Sequence, residues 1–445
     1  MYTVYFVSLG CDKNRVDSEC MLGILDRYGF RITDDPLSAD AAVINTCAFV
    51  LDAQEESVET ILEFAGYKDS GSLKALIVTG CMAQRFQEEI RVEIPQVDAV
   101  LGVSSYDRIA EAVRKALEGT PTYAVEEPVG LPQEGPRMLS TPPHYAYLKI
   151  SEGCAKHCTY CIIPSLRGPY RSVPMAQLAA QTRELAKQGV KELILVAQET
   201  TLYGVDLTGK KELPNLLRTL SGTEGIEWIR ILYCYPEEIT QELIEEIRDN
   251  PKVCHYLDLP IQHMNDEILR RMGRKTSGDA IRSLVKELRE QIPDITLRTT
   301  LISGFPGETR QMHEELLDAV NELEFDRLGV FTYSPEDGTP AASFPDQIDQ
   351  AVKEARADEI MQLQQEITFE KNQLLTGTVI KTMIDGYLPD EGVYAGRTYR
   401  DTPDVDGLIF VESQRFLMSG DLVDVLITGA NGYDLKGILT DESAE

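Results

Sequence analysis

The sequence predicts an α/β protein in three parts: an N-terminal doubly wound parallel sheet, a central partial (β/α)6 barrel and a small C-terminal β-barrel. Three observations carry this expectation. Short apolar, β-branched runs alternate with helical patterns over residues 1–118, as parallel strands joined by crossover helices require. The same alternation resumes over a longer span, between 144 and about 335. Beyond residue 375 the runs shorten and glycines interrupt them, which suits a small barrel.

In chain order, TVYFVSLG (3–10), AAVINT (41–46), KALIVTG (74–80) and DAVLG (98–102) are the first strands. VDSECMLGILDRYG and LDAQEESVETILEFAGY are helical patterns between them. Residues 119–143 carry six prolines and no periodicity, so they read as a linker. Then come YAYLKIS (145–151), ELILVAQ (192–198), WIRILYC (228–234), CHYLDL (254–259), ITLRTTLI (295–302) and RLGVFTY (327–333). Patterns such as MAQLAAQTRELAKQG and SGDAIRSLVKELREQ separate them, and six such units point to a partial barrel over 144–374. Residues 343–374 read as one long amphipathic helix ending near Gly377. Residues 375–445 form the last part, with GTVIKTMIDGYL, GVYAGRTY, GLIFVE and DLVDVLITGANGYDLKGIL as its strands.

A chain of 445 residues exceeds one core and implies two or three domains. Its 43% hydrophobic and 26% charged content is that of a globular enzyme. No apolar run approaches the roughly 18 residues of a membrane span, and MYTVYFVSLGCDKN has no basic-then-apolar leader. The expected location is the cytoplasm, where nine cysteines stay reduced rather than forming disulfides. A formal net charge of −30 opposes broad adhesion to phosphate backbones. It favours small-molecule chemistry or a basic protein partner.

The cysteines fall into two sets. In GCAKHCTYC, Cys154, Cys158 and Cys161 follow the first barrel strand, at the carboxyl end where barrel sites assemble. Three thiolates hold either one metal or three corners of a cubane. Zinc is the alternative, with His157 as fourth ligand. Against it, His157 adjoins Cys158, and no second CxxC knuckle follows. A cubane with one uncapped iron fits the spacing better. The second set is scattered: Cys11 in SLGCDKN, Cys47 in INTCAF and Cys81 in VTGCMAQR. Each starts a loop after a strand of one parallel sheet, at the edge where such sheets bind ligands. Cys20, Cys234 and Cys254 lie on a helix or at strand edges and read as small hydrophobes.

With both sets in view, the chain resembles the radical S-adenosylmethionine (SAM) methylthiotransferases over essentially its whole length. CxxxCxxC with an aromatic residue, here Tyr160, before the last cysteine carries the first part of the likeness. The resemblance implies an N-terminal cluster domain (1–118), a radical SAM domain (144–374) and a TRAM barrel (375–445). It implies two 4Fe–4S clusters, one on Cys11, Cys47 and Cys81 and one on Cys154, Cys158 and Cys161. SAM would chelate the open iron of the latter and, with an electron from an external donor, yield a 5′-deoxyadenosyl radical. The other cluster would hold the sulfur passed to substrate. For SAM itself the candidates are Tyr160 against the adenine, Gln198 and Thr200 in ILVAQETTLYG, and the ISGFPGE turn (302–308) with Glu308. Asp258, Gln262 and His263 stand at a similar strand end.

Within that family, SLGCDKNRVDSE, CIIPSLRG, GRKTSGD and DRLGVFTYSPEDGTPA look like the branch acting on an aspartate of small-subunit ribosomal protein S twelve. Ser165–Leu166 stands where the tRNA branch usually has tyrosine–threonine. Asp12 replaces a proline common in the ribosomal-protein branch, with all six cysteines intact. Residues 375–445 contain thirteen Asp/Glu and five Lys/Arg, which repels RNA and attracts a basic protein. The expected activity is β-methylthiolation of that aspartate. Modification of a tRNA adenosine, and a non-catalytic zinc-stabilised RNA- or protein-binding module, are the alternatives.

Overall fold

The computed structural model describes residues 1–131, 135 and 137–440. Six parallel strands, β1 (Thr3–Ser8), β2 (Arg31–Thr33), β3 (Ala41–Thr46), β4 (Ala75–Gly80), β5 (Ala99–Leu101) and β6 (Thr122–Ala124), form the first sheet in the order β2-β1-β3-β4-β5-β6. β3 and β4 are buried from end to end, because helices cover both faces of a doubly wound sheet. The order reverses between β1 and β3, opening a crevice at their carboxyl edge. β2 and β6 are three-residue edge strands, too short to show a period. β6 lies in the stretch expected to be a linker, pairing with β5. Further along that stretch, Ser140 and Arg137 bind the Glu19 carboxylate; residues 132–134 and 136 lie outside the described residues.

The second sheet holds β7 (Tyr145–Lys149), β10 (Glu192–Val196), β11 (Trp228–Ile231), β12 (Val253–Asp258), β13 (Thr296–Ser303) and β14 (Arg327–Thr332). They are parallel and lie in chain order from edge to edge. Winding without reversal is the barrel pattern, and the open β7 and β14 edges make it partial. A short antiparallel pair, β8 (Ser151–Glu152) with β9 (Arg171–Ser172), brackets the cysteine loop. The long helix runs Gln350–Leu374 and starts later than the expected residue 343. Pro345 disfavours helix at Phe344, and Asp346 takes a left-handed φ of 62°, so the helix cannot begin before them. The last five strands, β15 (Val379–Leu388), β16 (Val393–Thr398), β17 (Ile409–Glu412), β18 (Leu422–Asn431) and β19 (Asp434–Leu439), close into a barrel. Residues 441–445 of the expected last part lie outside the described residues.

The three parts share one core. Along β10, Leu193 and Leu195 face the surrounding helices, whereas Ile194 and Val196 face the concave side. On that side they meet Val16, Met21 and Leu25 of the helix Asp12–Arg27 and Met383 of the C-terminal barrel. Cys20 and Cys254 lie in this core and Cys234 in the helix-facing one, all buried. No helix among the described residues is long and apolar enough to cross a membrane.

Buried ion pairs fasten the C-terminal barrel at the start of the strands of the second sheet. Arg397 binds Glu192 at 2.7 Å and Asp385 at 2.9 Å, and Arg400 binds Asp326 at 3.1 Å. Burial alone would raise the Glu192 and Asp326 carboxyls. The facing Arg397 and Arg230, and Lys371 and Arg400, override it and hold both below their ordinary values. A carboxylate depressed in the folded state adds stability above its unfolded value, about 4, and loses it as pH falls toward the folded value. Asp406, raised by its burial, runs the other way. Asp385 is held down as well, by His144 and Arg397 against its burial. With three depressed carboxylates against one raised, barrel docking is expected to weaken below about pH 4, read as acid-induced proteolysis or hydrogen exchange at 379–439.

Candidate active site: two sets of cysteines at one seam

Cys11, Cys47 and Cys81 follow β1, β3 and β4, on both sides of the strand reversal. Cys11 caps the helix Asp12–Arg27, and Cys81 opens the short helix Cys81–Arg85. The Ser57 hydroxyl brackets Cys47, meeting its N–H at 3.1 Å and its carbonyl at 3.0 Å. Two glycines permit the convergence. Gly10 (φ +85°) packs where a Cβ would lie 2.8 Å from Cys47 Cβ. Gly80 (φ +95°) packs where a Cβ would lie 2.5 Å from the Thr46 carbonyl oxygen. Gly80→Ala is expected to destabilise the protein by about 2 kcal/mol or more, from the left-handed backbone plus a clash with main chain; urea unfolding measures it.

The second set lies at the carboxyl end of the second sheet. Cys154 and Cys158 are buried, Cys161 is half-buried, and His157 is exposed. Burial raises the thiols of Cys47, to about 12, and Cys81 in the first set, and of Cys154, to about 11, and Cys161 in the second. Such thiols become thiolates only when a cationic centre binds them. Among the described residues no three His, Cys, Asp or Glu side chains are grouped to hold one metal ion. Each set nevertheless gathers its thiols within mutual electrostatic reach: Cys47 feels Cys81 and Cys11, and Cys161 feels Cys158 and Cys154. Three sulfur donors per set is the donor chemistry of an iron–sulfur cubane with one open corner.

Polar groups without partners surround the second set. Glu199, one residue beyond Gln198, is fully buried; its Oε1 accepts the Thr201 N–H at 2.8 Å, and its Oε2 has no partner among the described residues. Burial pushes this carboxyl up to about 7. Gln198 donates to Glu152 at 2.8 Å, leaving its Oε1 unpartnered. Arg274 is buried over the Tyr235 ring at 4.4 Å with Nε and Nη1 unpartnered, and Tyr235 Oη lies 3.8 Å from Cys158 Sγ. Arg274 Nη2 meets Glu237 at 3.1 Å, so one free carboxylate oxygen and two free guanidinium nitrogens beside three thiols remain to suit a ligand with an ammonium and a carboxylate. The residues therefore fit SAM.

The other expected contacts divide. Tyr160 stands edge-on to Phe305 of the ISGFPGE turn, centroids 6.5 Å apart. The Glu308 carboxylate is engaged within the protein, accepting from Arg356 and from the Gly304 N–H, both at 2.8 Å. Thr200 donates to the Tyr233 carbonyl at 3.0 Å. Asp258 meets Arg298 and the Tyr233 N–H. Gln262 takes a left-handed φ of 70°, and His263 is buried with its Nδ1 accepting the Asn265 N–H at 2.9 Å.

A buried charge cluster joins the two sets. Arg167, just after the second set, meets Asp17 at 2.8 Å, Glu152 at 3.4 Å and the Asn14 side-chain oxygen. Lys149 meets the same two carboxylates. That Asn14 oxygen lies 3.9 Å from Cys81 Sγ, while Asn14 Nδ2 donates to the Thr46 carbonyl at 3.0 Å. Burial would raise the Glu152 carboxyl, but Lys149 and Arg167 pull it down to about 2. A second tie runs from Arg85, four residues after Cys81, to Glu336 at 2.9 Å. Apart from Lys149 and Glu152, three residues apart, these partners are far apart in sequence.

Comparison with known families places the parts. The family described as "Uncharacterized protein family UPF0004" matches residues 3–102, the radical SAM superfamily matches 148–320 and the TRAM domain matches 376–439. In fold the chain is similar to the radical SAM methyltransferase TsrM from Kitasatospora setae, at TM-scores of 0.54 and 0.53 and 15% and 14% identity. The two alignments cover 87% and 94% of this chain and 79% and 83% of that one. Fold and site thus define a radical SAM protein that carries a second parallel domain and a TRAM barrel. The ribosomal protein uS12 methylthiotransferase RimO of Lachnoclostridium phytofermentans is 55% identical over 98% of this chain and 99% of its own. Those of Acetivibrio thermocellus and Clostridium tetani are 49% and 44% identical over 99% of this chain and 99% and 98% of theirs. The chain belongs to the RimO family of ribosomal protein uS12 methylthiotransferases.

Proposed function

We propose that this chain adds a methylthio group to the β-carbon of an aspartate in ribosomal protein uS12. The observation that carries the reading is the meeting of two three-thiol sets at one seam, in a chain matched end to end by the family. Cys11, Cys47 and Cys81 hold one 4Fe–4S cluster; Cys154, Cys158 and Cys161 hold the other, to which SAM binds. Bound there, these groups supply a carbon-centred radical from SAM and the sulfur that is transferred. The protein's own part is positional. Glu199 takes the SAM ammonium and Arg274 its carboxylate, with Gln198 beside them. Tyr160 borders the adenine, and Glu308 acts through the Gly304 turn that it fixes rather than by direct contact.

The domains divide as 1–118 for the first cluster, 119–143 connecting, 144–374 for SAM and 375–445 for the TRAM barrel. The work is done in the cytoplasm with an external electron donor. Charge supports a basic protein substrate over RNA. Of the barrel's five cations, Arg397 and Arg400 are buried in ion pairs; the exposed Lys381, Arg415 and Lys436 are outnumbered by the exposed Asp390, Glu391, Asp404, Glu412 and Asp424. An RNA-gripping barrel needs a cationic face for phosphates.

The test is anaerobic reconstitution followed by incubation with SAM, sulfide, a reductant and either a uS12 loop peptide or tRNA. The expected result is one methylthio group on the peptide by mass spectrometry and none on tRNA. Turnover on tRNA alone, with binding that weakens steeply with salt, overturns the substrate. A colourless, zinc-loaded protein overturns the chemistry.

A further inference from the structure

A carboxylate already occupies a built site beside Cys11. Lys13 is buried, and its Nζ lies 2.9 Å from Asp12 Oδ1 and 3.1 Å from the centre of the Tyr233 ring. Tyr233 donates its hydroxyl to the same Asp12 oxygen at 3.1 Å. Tyr233 belongs to the second sheet, just beyond β11, and takes a left-handed φ of 61°. Asp258 holds its N–H at 3.0 Å, and Thr200 holds its carbonyl. A left-handed tyrosine persists only where its surroundings impose it. Thr200 adjoins Glu199, whose charge is felt at Cys154. The ammonium and phenol therefore stand between the loops of the two cysteine sets.

Other cations near the seam are committed. Arg167 and Lys149 each face two carboxylates, Lys156 pairs with Glu238, and Arg274 lies at Cys158 on the SAM side. Lys13 differs. An ammonium carries three protons; Asp12 accepts one and the ring faces another. Among the described residues no second carboxylate pairs with it.

We propose that Lys13, with the Tyr233 hydroxyl, receives the side-chain carboxylate of the substrate aspartate, beside or in place of Asp12. This rests on the uS12 reading above. The carbon to be modified is bonded directly to that carboxylate carbon, so anchoring one fixes the other within about 1.5 Å. Lys13 is thus a specificity-determining residue: it distinguishes aspartate from asparagine, which is the same shape without the charge.

The experiment measures calorimetric dissociation constants and kcat/KM for uS12 loop peptides bearing Asp or Asn at the target position, with variants compared at matched iron content. The parent is expected to prefer Asp by about thirtyfold or more, as for a desolvated charge pair. Lys13→Met is expected to bring that ratio to about threefold or less, chiefly through KM for the Asp peptide, and Lys13→Arg to restore part of it. Should Lys13→Met fail to take up iron, Lys13→Arg and Tyr233→Phe carry the test, the latter lowering the ratio about threefold to tenfold. A Lys13→Met enzyme, or failing it a Tyr233→Phe enzyme, that keeps the parental Asp-over-Asn ratio overturns the proposal. A parent that modifies neither peptide overturns the uS12 reading itself, and the inference falls with it.

Discussion

Replacing Cys11, Cys47 and Cys81 together by alanine is expected to leave about four irons per chain where the parent takes up about eight, and to abolish methylthio transfer. Cleavage of SAM by the remaining set is expected to persist. The mirror replacement of Cys154, Cys158 and Cys161 is expected to leave about four irons as well, with both transfer and SAM cleavage lost. The asymmetry follows from where the orphaned polar groups lie. Glu199 Oε2 and the Nε and Nη1 of Arg274 stand around the second set, so SAM has a seat there without the first. Iron and sulfide analysis with a 5′-deoxyadenosine assay separates the roles. Equal iron in parent and variants would remove the two-cluster scheme.

Arg167→Met is expected to produce the largest loss of stability among single changes at the seam, about 3 to 5 kcal/mol, the range for breaking a buried pair by removing one partner. Arg167 and Lys149 balance Asp17 and Glu152 in a pocket where all four are buried. Without Arg167, one negative charge is left uncompensated. Adding Glu152→Gln restores the balance and is expected to recover part of the loss, so the double-mutant cycle closes with a coupling energy well above zero. Because Arg167 also holds Asn14 against Cys81 and the Thr46 carbonyl, iron uptake by the first set should fall more than uptake by the second. Urea unfolding and iron analysis of each set's triple-alanine background read the two effects.

Much of the fold was legible because its strands are unmixed. AAVINT, ALIVTG and ELILV are buried on both faces, and such runs announce themselves without any period. β2 and β6 were not legible, since three residues at a sheet edge carry no pattern. Of the site, the six cysteines stood out because each follows a strand, the place where side chains of one sheet edge converge. Glu199 did not. Reading ELILVAQ (192–198) as the strand singles out Gln198 and Thr200 at its end and passes over Glu199 between them. β10 ends at Val196, and beyond it strand parity no longer governs. Glu308 stood out for the opposite reason: its local turn is glycine-rich, but the residue that claims its carboxylate, Arg356, is 48 positions away. Lys149, Asp17 and Arg167 were equally hidden, being ordinary charges until folding brings them together.

The shared core has a consequence for how the chain is made. Met21 and Leu25 leave the ribosome early, but Met383, which packs in the same cluster, follows about 360 residues later. At ordinary synthesis rates that interval is roughly 20 to 70 s. For all of it the part of the first helix that packs with Met383 is uncovered, whereas the part that meets Ile194 and Val196 is covered earlier. The shared core is therefore closed only once the C-terminal barrel has emerged.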